Sequence, residues 1–343
     1  MRFGFLVFSA MLGCSTALGQ STRPEDWEAR RQGILNRMQQ VMGPMPTKWR
    51  GLPLEMQVLE SADLPRYVRT KIRFRVEPED RPTAWLLIPK DVKGKAPAML
   101  CLHQTVDCGK DEPAGLGKNT ELRCGQELAE RGYVALCPDY WTFGDYRAST
   151  YDPYQHGYRS GTMKGIWTHM RCVDLLQSLP QVQADRVGCI GHSLGGHNAL
   201  FLAAFDERIK AVVSSCGFSS FASYAGSKYG GGDLRNWAQK RYMPRIAEVY
   251  GNDPARMPFD WPEVLMAIAP RAVFVSAPVR DENFLIEGVK KCIGEAQPVF
   301  RLMSADGSLR SIHPQGGHSF PKEARDSAYG FLDQQLKQGS GGR

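Results

Sequence analysis

The 343-residue sequence lacks a hydrophobic segment long enough to cross a bilayer, since its longest apolar stretch covers only residues 3–12 and a spanning helix needs roughly 20 residues. It contains no run of five basic residues, and its formal net charge is only +7, which argues against a nucleic-acid partner. The C-x-x-C and H-E-x-x-H motifs are also missing, so nothing indicates a zinc ribbon, a thioredoxin-like redox motif or a metalloprotease site. We therefore predict no cofactor, no metal, no nucleic-acid partner and no stable membrane insertion.

The short apolar stretch at the N-terminus predicts export. Arg2 precedes it, and the triplet Ala17-Leu18-Gly19 carries small residues at the two positions that a signal peptidase inspects. We expect residues 1–19 to be a signal peptide, so that the mature protein is periplasmic or extracellular. Lipoprotein anchoring through Cys14 is the less favoured alternative, because Leu12 occupies a position where a small residue is expected.

Nine cysteines in an exported chain suggest a disulfide framework. A chain of this length can bury a core of its own and does not need one. Most of the cysteines fall within predicted strands or helices, where a thiol packs as a small apolar side chain. Only Cys108 and Cys124 are placed where they are free to form a disulfide.

The pattern of apolar residues predicts one α/β domain. A helical extension over residues 20–50 ends at Gly43-Pro44. An antiparallel hairpin follows, with strands over 66–76 and 84–88. From residue 98 onward, short buried strands alternate with helices, as in a parallel sheet covered on both faces. The predicted strands of this part are 98–102, 133–137, 187–190, 211–215, 272–276 and 299–303.

These elements give a predicted domain organisation. The main domain covers residues 51–338, and residues 339–343 form a flexible tail. Two aromatic and glycine-rich segments, residues 138–162 and 217–262, are longer than ordinary connections between strand and helix. Long connections of this kind are usually functional, so we expect 217–262 to be a cap-like insertion over the site.

Residues 191–195 form a G-x-S-x-G motif, directly after a predicted buried strand and directly before a predicted helix. This arrangement is typical of a nucleophile elbow, in which Ser193 takes a strained backbone conformation and side chains at positions 191 and 195 would collide. The N-terminus of the following helix favours a developing negative charge. The motif predicts Ser193 as a catalytic nucleophile.

A serine hydroxyl needs a base and the base needs an orienting acid. The chain order serine, acid, histidine leaves His313 and His318, and we assign His318 because its glycine-rich loop can direct the imidazole toward the elbow. Asp281 and Glu282 follow the strand 272–276, and Asp281 is the predicted acid, with Asp306 as the runner-up.

An oxyanion hole requires two backbone N–H donors. The N–H of Leu194, the residue after the nucleophile, is one expected donor. The other comes from the loop after strand 98–102, where either Gln104 or Thr105 is a candidate. We expect substrate contacts from His103 in the same loop and from Trp141, Tyr224 and Trp237 in the two long aromatic segments. Phe143, Tyr146 and Tyr229 are further aromatic candidates. With the aromatic residues already named, they are expected to form a wall on which a ring-shaped group of the substrate packs.

These motifs resemble those of the α/β-hydrolase superfamily, in particular its group of serine esterases similar to dienelactone hydrolases and acetyl xylan esterases. The resemblance covers residues 66–337 and depends on Ile88-Pro89, Pro138-Asp139-Tyr140, the elbow and the closing Gly317-His318-Ser319-Phe320-Pro321. It implies a sheet of about eight strands, mostly parallel, and ester hydrolysis through an acyl-enzyme. Dienelactone hydrolases use cysteine where this chain has Ser193.

The leading functional hypothesis is an exported serine hydrolase of carboxylic esters, with a small-molecule or carbohydrate ester as substrate. A prolyl-oligopeptidase-like peptidase or amidase is a second hypothesis, although about 65 residues before the fold are too few for a propeller. A non-catalytic binding protein on the same fold is a third. All three positions of a catalytic triad are filled, which favours an enzyme.

Overall fold

A computed structural model describes residues 26–337 of the chain. The predicted signal peptide with Cys14 and the predicted tail at 339–343 lie outside the described residues. Within them, no helix is both long enough and apolar enough to cross a membrane.

The centre of the fold is a nine-stranded sheet whose strands follow the order β1-β2-β3-β5-β4-β6-β7-β8-β9. The pairs β1–β2, β2–β3 and β3–β5 are antiparallel, and the remaining pairs are parallel. The strands are β1 Gln57–Asp63, β2 Tyr67–Arg73, β3 Thr83–Pro89, β4 Ala96–Leu102, β5 Val134–Pro138, β6 Val182–His192, β7 Ile209–Ser215, β8 Ala272–Ser276 and β9 Leu309–Ile312.

Helices cover both faces of this sheet, which confirms the predicted fold class. The described residues form α1 Trp27–Met42, α2 Cys124–Glu130, α3 Gly161–Ser178, α4 Leu194–Phe205, α5 Phe221–Ala225, α6 Arg245–Glu248, α7 Trp261–Ile268, α8 Ile286–Leu302 and α9 Lys322–Leu336. In β4, Leu100 and Leu102 pack into the core on one face, while Met99 and Cys101 pack into the core on the other. This alternation is the reason why the sequence of β4 is apolar throughout.

The expected number of about eight strands is close to the nine observed, and the exposed strand β1, which carries little apolar signal, was not predicted. One predicted strand is wrong. Residues 299–303 were expected to be the last strand, but α8 continues to Leu302 and contains Pro298. The run is apolar because Val299 and Phe300 lie on the buried face of that helix, and a short apolar run does not distinguish strand from helix.

All eight cysteines of the described part of the chain are free thiols. Cys108 and Cys124, the two cysteines that the sequence leaves free to pair, therefore do not form a disulfide. Cys124 begins α2 and is buried in the same core as Cys101 and Cys137, whereas Cys108 lies in a partly exposed loop. The Cys124 thiol is buried among apolar side chains of the core and is not paired with Cys108.

The parallel strands place the loops that matter for function at one edge of the sheet. Strands β4, β6, β7 and β8 pair in parallel, so their carboxyl ends lie side by side. In α/β sheets, ligands bind outside this edge. The loops that follow these four strands contain Ser193, Asp281 and the candidates at residues 103–105 and in the insertion, whereas His318 follows β9 and Trp141 follows β5.

Candidate active site

Ser193 occupies the turn between β6 and α4, and its backbone has φ 53° and ψ −118°. A non-glycine residue with positive φ is strained and is retained where the surroundings impose it. The Ser193 N–H donates to the carbonyl of Ser215 at 2.8 Å, and its own carbonyl accepts from the N–H of His197 at 3.1 Å. The sharp turn directs the side chain away from the end of the sheet, in the geometry of a nucleophile elbow.

The two glycines of the motif are required by close packing. A Cβ at Gly191 would lie 2.3 Å from backbone atoms of Gly195, and a Cβ at Gly195 would lie 2.1 Å from the Leu102 carbonyl oxygen. Backbone atoms cannot move aside as a flexible side chain can. The elbow therefore packs directly against the end of β4, which brings Ser193 beside the loop that begins at His103.

Asp281 and His318 form a hydrogen-bonded pair. The Oδ2 atom of Asp281 lies 2.8 Å from Nδ1 of His318. The other oxygen, Oδ1, accepts hydrogen bonds from the backbone N–H groups of Asn283 at 2.8 Å and Phe284 at 3.1 Å. The Asp281 side chain is 1% exposed and the His318 side chain is 29% exposed, so the acid is buried and the imidazole reaches the surface of the site.

Backbone hydrogen bonds connect the loop that contains Asp281 to the loop that contains His318. The N–H of Val279 donates to the Pro314 carbonyl at 3.1 Å, and the N–H of Arg280 donates to the Gly316 carbonyl at 2.9 Å. The loop of Asp281 and the loop of His318 are therefore bonded to each other directly. The His318 ring lies 4.8 Å from the ring of His192, the residue that precedes Ser193.

The charge state of Asp281 results from two opposing effects. Burial alone raises the pKa of a carboxyl group, because it disfavours the charged form. Here the hydrogen bond and charge of His318, together with the two backbone N–H donors, outweigh burial and lower the pKa below its ordinary value. Asp281 is therefore an anion at neutral pH, which is the form that can orient an imidazole.

The other histidines near the site do not share this arrangement. His313 lies 3.2 Å from the Ala277 carbonyl through Nδ1, so it contacts backbone rather than an acid. The pKa of His192 is lowered to about 3 by burial and by the charge of His318, and burial lowers that of His197 to about 3. Both are neutral at physiological pH and do not compete with His318 as charged partners.

The runner-up acid lies elsewhere. Asp306 is in the short turn before β9, where its side chain accepts hydrogen bonds from Gln297 and Arg301. Both bonds lower the pKa of the exposed Asp306 carboxyl group. Asp306 is engaged in a surface contact, whereas Asp281 contacts the imidazole directly.

The candidate oxyanion donors surround the elbow. Leu194 is the first residue of α4, so its N–H belongs to the unpaired N-terminal amides of that helix. The side chain of Gln104 turns away and donates to Glu112 at 2.9 Å. The Thr105 hydroxyl lies 3.0 Å from the hydroxyl of Tyr242 in the insertion, which connects the loop after β4 to the insertion.

A cavity of about 340 Å³ opens beside Ser193. Its lining combines the elbow, the loop after β4, the insertion and the loop after Asp281. The lining residues are Thr105, Ser193, Leu194, His197, Tyr224, Tyr229, Asn236, Trp237, Gln239, Tyr242, Asn283 and Phe284. None of these twelve residues is Asp, Glu, Lys or Arg, so the cavity offers aromatic faces, amides and hydroxyls to a neutral ligand.

Two of the four predicted substrate-contacting residues line this cavity, namely Tyr224 and Trp237. His103 does not: it is 2% exposed and stacks on Tyr140 with ring centroids 3.8 Å apart. Trp141 is also outside the lining, and its Nε1 donates to the Tyr151 carbonyl at 2.9 Å.

The wider set of aromatic candidates is divided in the same way. Tyr229 lines the cavity. Phe143 packs edge-on against His103 at 5.4 Å, and Tyr146 donates its hydroxyl to Asp80 at 2.7 Å. The segment 138–162 therefore supports the core beneath the loop after β4, while the insertion forms the cavity wall.

The sequence did not predict a substrate contact for six cavity residues, namely His197, Asn236, Gln239, Tyr242, Asn283 and Phe284. Three of them lie in the segment 217–262, whose length and aromatic content did indicate function. His197 lies one helical turn after Ser193, a spacing that brings i and i+4 side chains to one face. Asn283 and Phe284 follow Asp281 and share its turn.

Three polar atoms in residues of the cavity wall have no hydrogen-bond partner within residues 26–337. They are Nδ1 of His197, Nε1 of Trp237 and Oδ1 of Asn283, and each atom is buried. Buried polar atoms without a partner are costly in a folded protein. All three belong to residues that line the cavity beside Ser193.

A family model of esterases and a bacterial relative named as a hydrolase both match this chain. The family model "Glucuronyl esterase, fungi" matches residues 145–304. The protein YtaP of Bacillus subtilis (strain 168), named as a hydrolase, is 27% identical over 304 residues, which cover 86% of this chain and 96% of YtaP.

Solved structures of esterases share the fold. A glucuronoyl esterase from Solibacter usitatus matches with a TM-score of 0.72 and 19% identity, over 92% of this chain and 94% of that one. Acetyl Xylan Esterase 1 from Thermoanaerobacterium sp. JW/SL YS485 matches with a TM-score of 0.58 and 17% identity, over 92% and 96% of the two chains. At such identities the likeness concerns the fold, and the chemistry has to be argued from the residues of the site.

Proposed function

We propose that this chain, a member of the α/β-hydrolase superfamily of serine esterases, hydrolyses carboxylic esters of carbohydrates with Ser193 as nucleophile, His318 as base and Asp281 as orienting acid. The observation that carries the proposal is the shared cavity: Ser193, Leu194 and Thr105 open into the space that the aromatic and amide side chains enclose. The acyl carbon of an ester bound there lies beside the nucleophile.

In the first half of the proposed reaction, these groups form the acyl-enzyme. Ser193 Oγ attacks the acyl carbon while Nε2 of His318 accepts the hydroxyl proton. Asp281 holds the proton of Nδ1 and stabilises the imidazolium, as the 2.8 Å contact allows. The N–H of Leu194 and a second N–H from the loop after β4 stabilise the oxyanion, and Thr105 is the favoured second donor because it lines the cavity.

The alcohol leaves first and the acid second. His318 gives its proton to the departing alkoxide, so the alcohol leaves as a neutral molecule and Ser193 is acylated. Water then enters, His318 takes one of its protons, and the hydroxide oxygen attacks the acyl carbon. Collapse of this second tetrahedral intermediate returns the proton to Ser193 Oγ and frees the carboxylic acid.

A carbohydrate substrate is supported by the composition of the cavity wall. Sugar rings present apolar faces, which pack on aromatic side chains, and hydroxyl groups, which need hydrogen-bond partners. The wall contains five aromatic residues and three carboxamides. The carboxamides and tyrosine hydroxyls of the lining supply hydrogen-bond partners for a polyhydroxylated ligand, and a purely aliphatic ester would leave them unused.

A comparison of esters tests the substrate class. We expect kcat/KM for acetylated xylan or for a benzyl ester of glucuronic acid to exceed that for a simple aliphatic ester by about 100-fold, which corresponds to about 2.8 kcal/mol of additional binding. Tyr229→Ala should remove part of this preference, because the exposed ring of Tyr229 lines the cavity, whereas Trp141→Ala, outside the lining, should retain it. Equal, slow turnover of all three esters would contradict a carbohydrate substrate.

The same assay separates the other two hypotheses. A peptidase of the prolyl-oligopeptidase-like type would hydrolyse a dipeptide anilide faster than an aryl acetate, and we expect the reverse. A non-catalytic binding protein would show no acylation of Ser193 with any substrate. We further propose that the enzyme acts outside the cytoplasm, as the N-terminal sequence predicts.

The role of Asp281 can be tested with one amide substitution. Asp281→Asn removes the anion that holds the tautomer of His318, and the expected loss in kcat is about 10⁴-fold, as in serine enzymes with this triad. The matched control is Asp306→Asn at the runner-up position, whose exposed carboxyl group contacts only Gln297 and Arg301. A large loss of kcat in the Asp306 variant, with little loss in the Asp281 variant, would make Asp306 the orienting acid instead of Asp281.

A further inference from the structure

We propose that Cys216, Asp281 and His318 form a binding site for one thiophilic divalent cation such as Zn²⁺, and that its occupation switches the esterase off. The inhibitory part rests on the proposed function, whereas binding of the cation does not. The three residues each offer one ligand atom, and these atoms lie within 4.8 Å of one another. Cys216 has no assigned role in the ester chemistry.

The position of Cys216 is determined by the backbone. It follows β7 directly and has φ 47°, a positive value that is rare for a residue with a side chain. Its N–H donates to the Ser276 carbonyl at 2.9 Å, which fixes it to the end of the neighbouring strand. The Sγ atom lies 3.4 Å from the carbonyl oxygen of Ser319, the residue after His318. The thiol is therefore directed at the catalytic pair.

The set of donors fits zinc. One thiolate, one imidazole nitrogen and one carboxylate oxygen are the ligand types that Zn²⁺ prefers, at about 2.0–2.3 Å from the metal. Tetrahedral geometry at those lengths places ligand atoms about 3.5 Å apart, so small side-chain rotations bring the three atoms into range. The thiol proton passes to solvent on binding. The fourth position is left for water, because the His318 side chain is partly exposed.

Occupation of the site is incompatible with general-base catalysis. A metal bound at Nδ1 of His318 uses the lone pair of that nitrogen, so the neutral imidazole must carry its proton on Nε2. An Nε2–H group cannot accept the proton of Ser193. The cation also takes up the negative charge of Asp281 that would stabilise an imidazolium. Loss of kcat without a change in KM is the expected form of inhibition, since the cavity wall is untouched.

Binding is tested first in a protein that cannot turn over. Ser193→Ala leaves all three ligands in place, and titration with Cd²⁺ should produce the ultraviolet absorption of a metal–thiolate bond with a stoichiometry of one per chain. Cys216→Ala in the same background should abolish the band. Cys108→Ser should retain it, because Cys108 is the partly exposed cysteine outside the cluster. This result stands even if the proposed ester hydrolysis fails, which keeps the two failures distinguishable.

Inhibition is tested in the active enzyme, with each variant compared to its own rate without metal. Zn²⁺ should reduce kcat reversibly and EDTA should restore it, while Mg²⁺ and Ca²⁺, which prefer oxygen ligands, should have no effect at equal concentration. We expect Cys216→Ala and Cys216→Ser to raise the Zn²⁺ concentration for half-inhibition by at least about 100-fold, in line with the loss of one ligand. Equal inhibition of the wild type and both Cys216 variants, or a thiolate band that survives Cys216→Ala, would overturn the proposal.

Discussion

Ser193→Ala should lower kcat for any ester substrate by about 10⁶-fold, the order of loss measured when the nucleophile of a serine hydrolase is removed. The variant keeps the cavity and the hydrogen-bonded pair of Asp281 and His318, so substrate binding should persist with a KM or Kd close to that of the wild type. Single-turnover kinetics with an aryl acetate should show no burst, because no acyl-enzyme forms.

A fluorophosphonate probe gives an independent measurement. It should label the wild type with one equivalent and leave Ser193→Ala unlabelled. Ser327→Ala is a suitable control, since Ser327 lies on the exposed face of α9 and its hydroxyl only contacts the Glu323 carbonyl. Thermal unfolding of both variants should resemble that of the wild type. Labelling that persists in Ser193→Ala would disprove the nucleophile assignment.

His318→Ala should cause a loss of comparable size, about 10⁴- to 10⁶-fold in kcat, because neither attack by serine nor departure of the alcohol then has a proton carrier. The matched control is His313→Ala, which removes the other histidine in the required chain order. His313 contacts the Ala277 carbonyl and not an acid, so its replacement should leave kcat within about threefold of the wild type.

The pattern of the two histidine variants decides the base. Combining His318→Ala with Ser193→Ala should cost little more than either change alone, since residues that act as one unit are not additive. If His313→Ala is the inactive variant and His318→Ala retains activity, His313 is the base instead of His318. If both retain activity, the Asp281–His318 pair is structural and the proposed mechanism fails.

Much of the fold was predictable because its signals are local. The apolar runs of β4 to β8 reflect burial on both faces of a parallel sheet, and that requirement is visible in each strand separately. The exposed edge strand β1 and the four-residue strand β9 escaped, because neither buries a continuous apolar segment. The likeness in fold is supported by solved structures of esterases, which match this chain at 17% and 19% sequence identity.

The residues of the cavity wall were less predictable, because contact between them is a tertiary property. Tyr242 and Thr105 are 137 positions apart in the chain, and their hydroxyls lie 3.0 Å from each other. His103 and Trp141 were reasonable candidates by position and type, yet one is stacked in the core and the other is bonded to a loop carbonyl. Residue type and loop membership do not determine the direction in which a side chain points.

By itself, the sequence determined the class of the sheet. It also predicted Ser193, Asp281 and His318 as the catalytic residues. It could do so because an elbow needs glycine at two fixed positions, and because the order of triad residues follows from the order of the strands. Only the tertiary structure decided that Oδ2 of Asp281 meets Nδ1 of His318, which twelve residues enclose the cavity, and that Cys216 is directed at the catalytic pair. Those contacts join the loops that follow five strands, β4, β6, β7, β8 and β9, and their distances depend on packing across the whole sheet rather than on any local pattern.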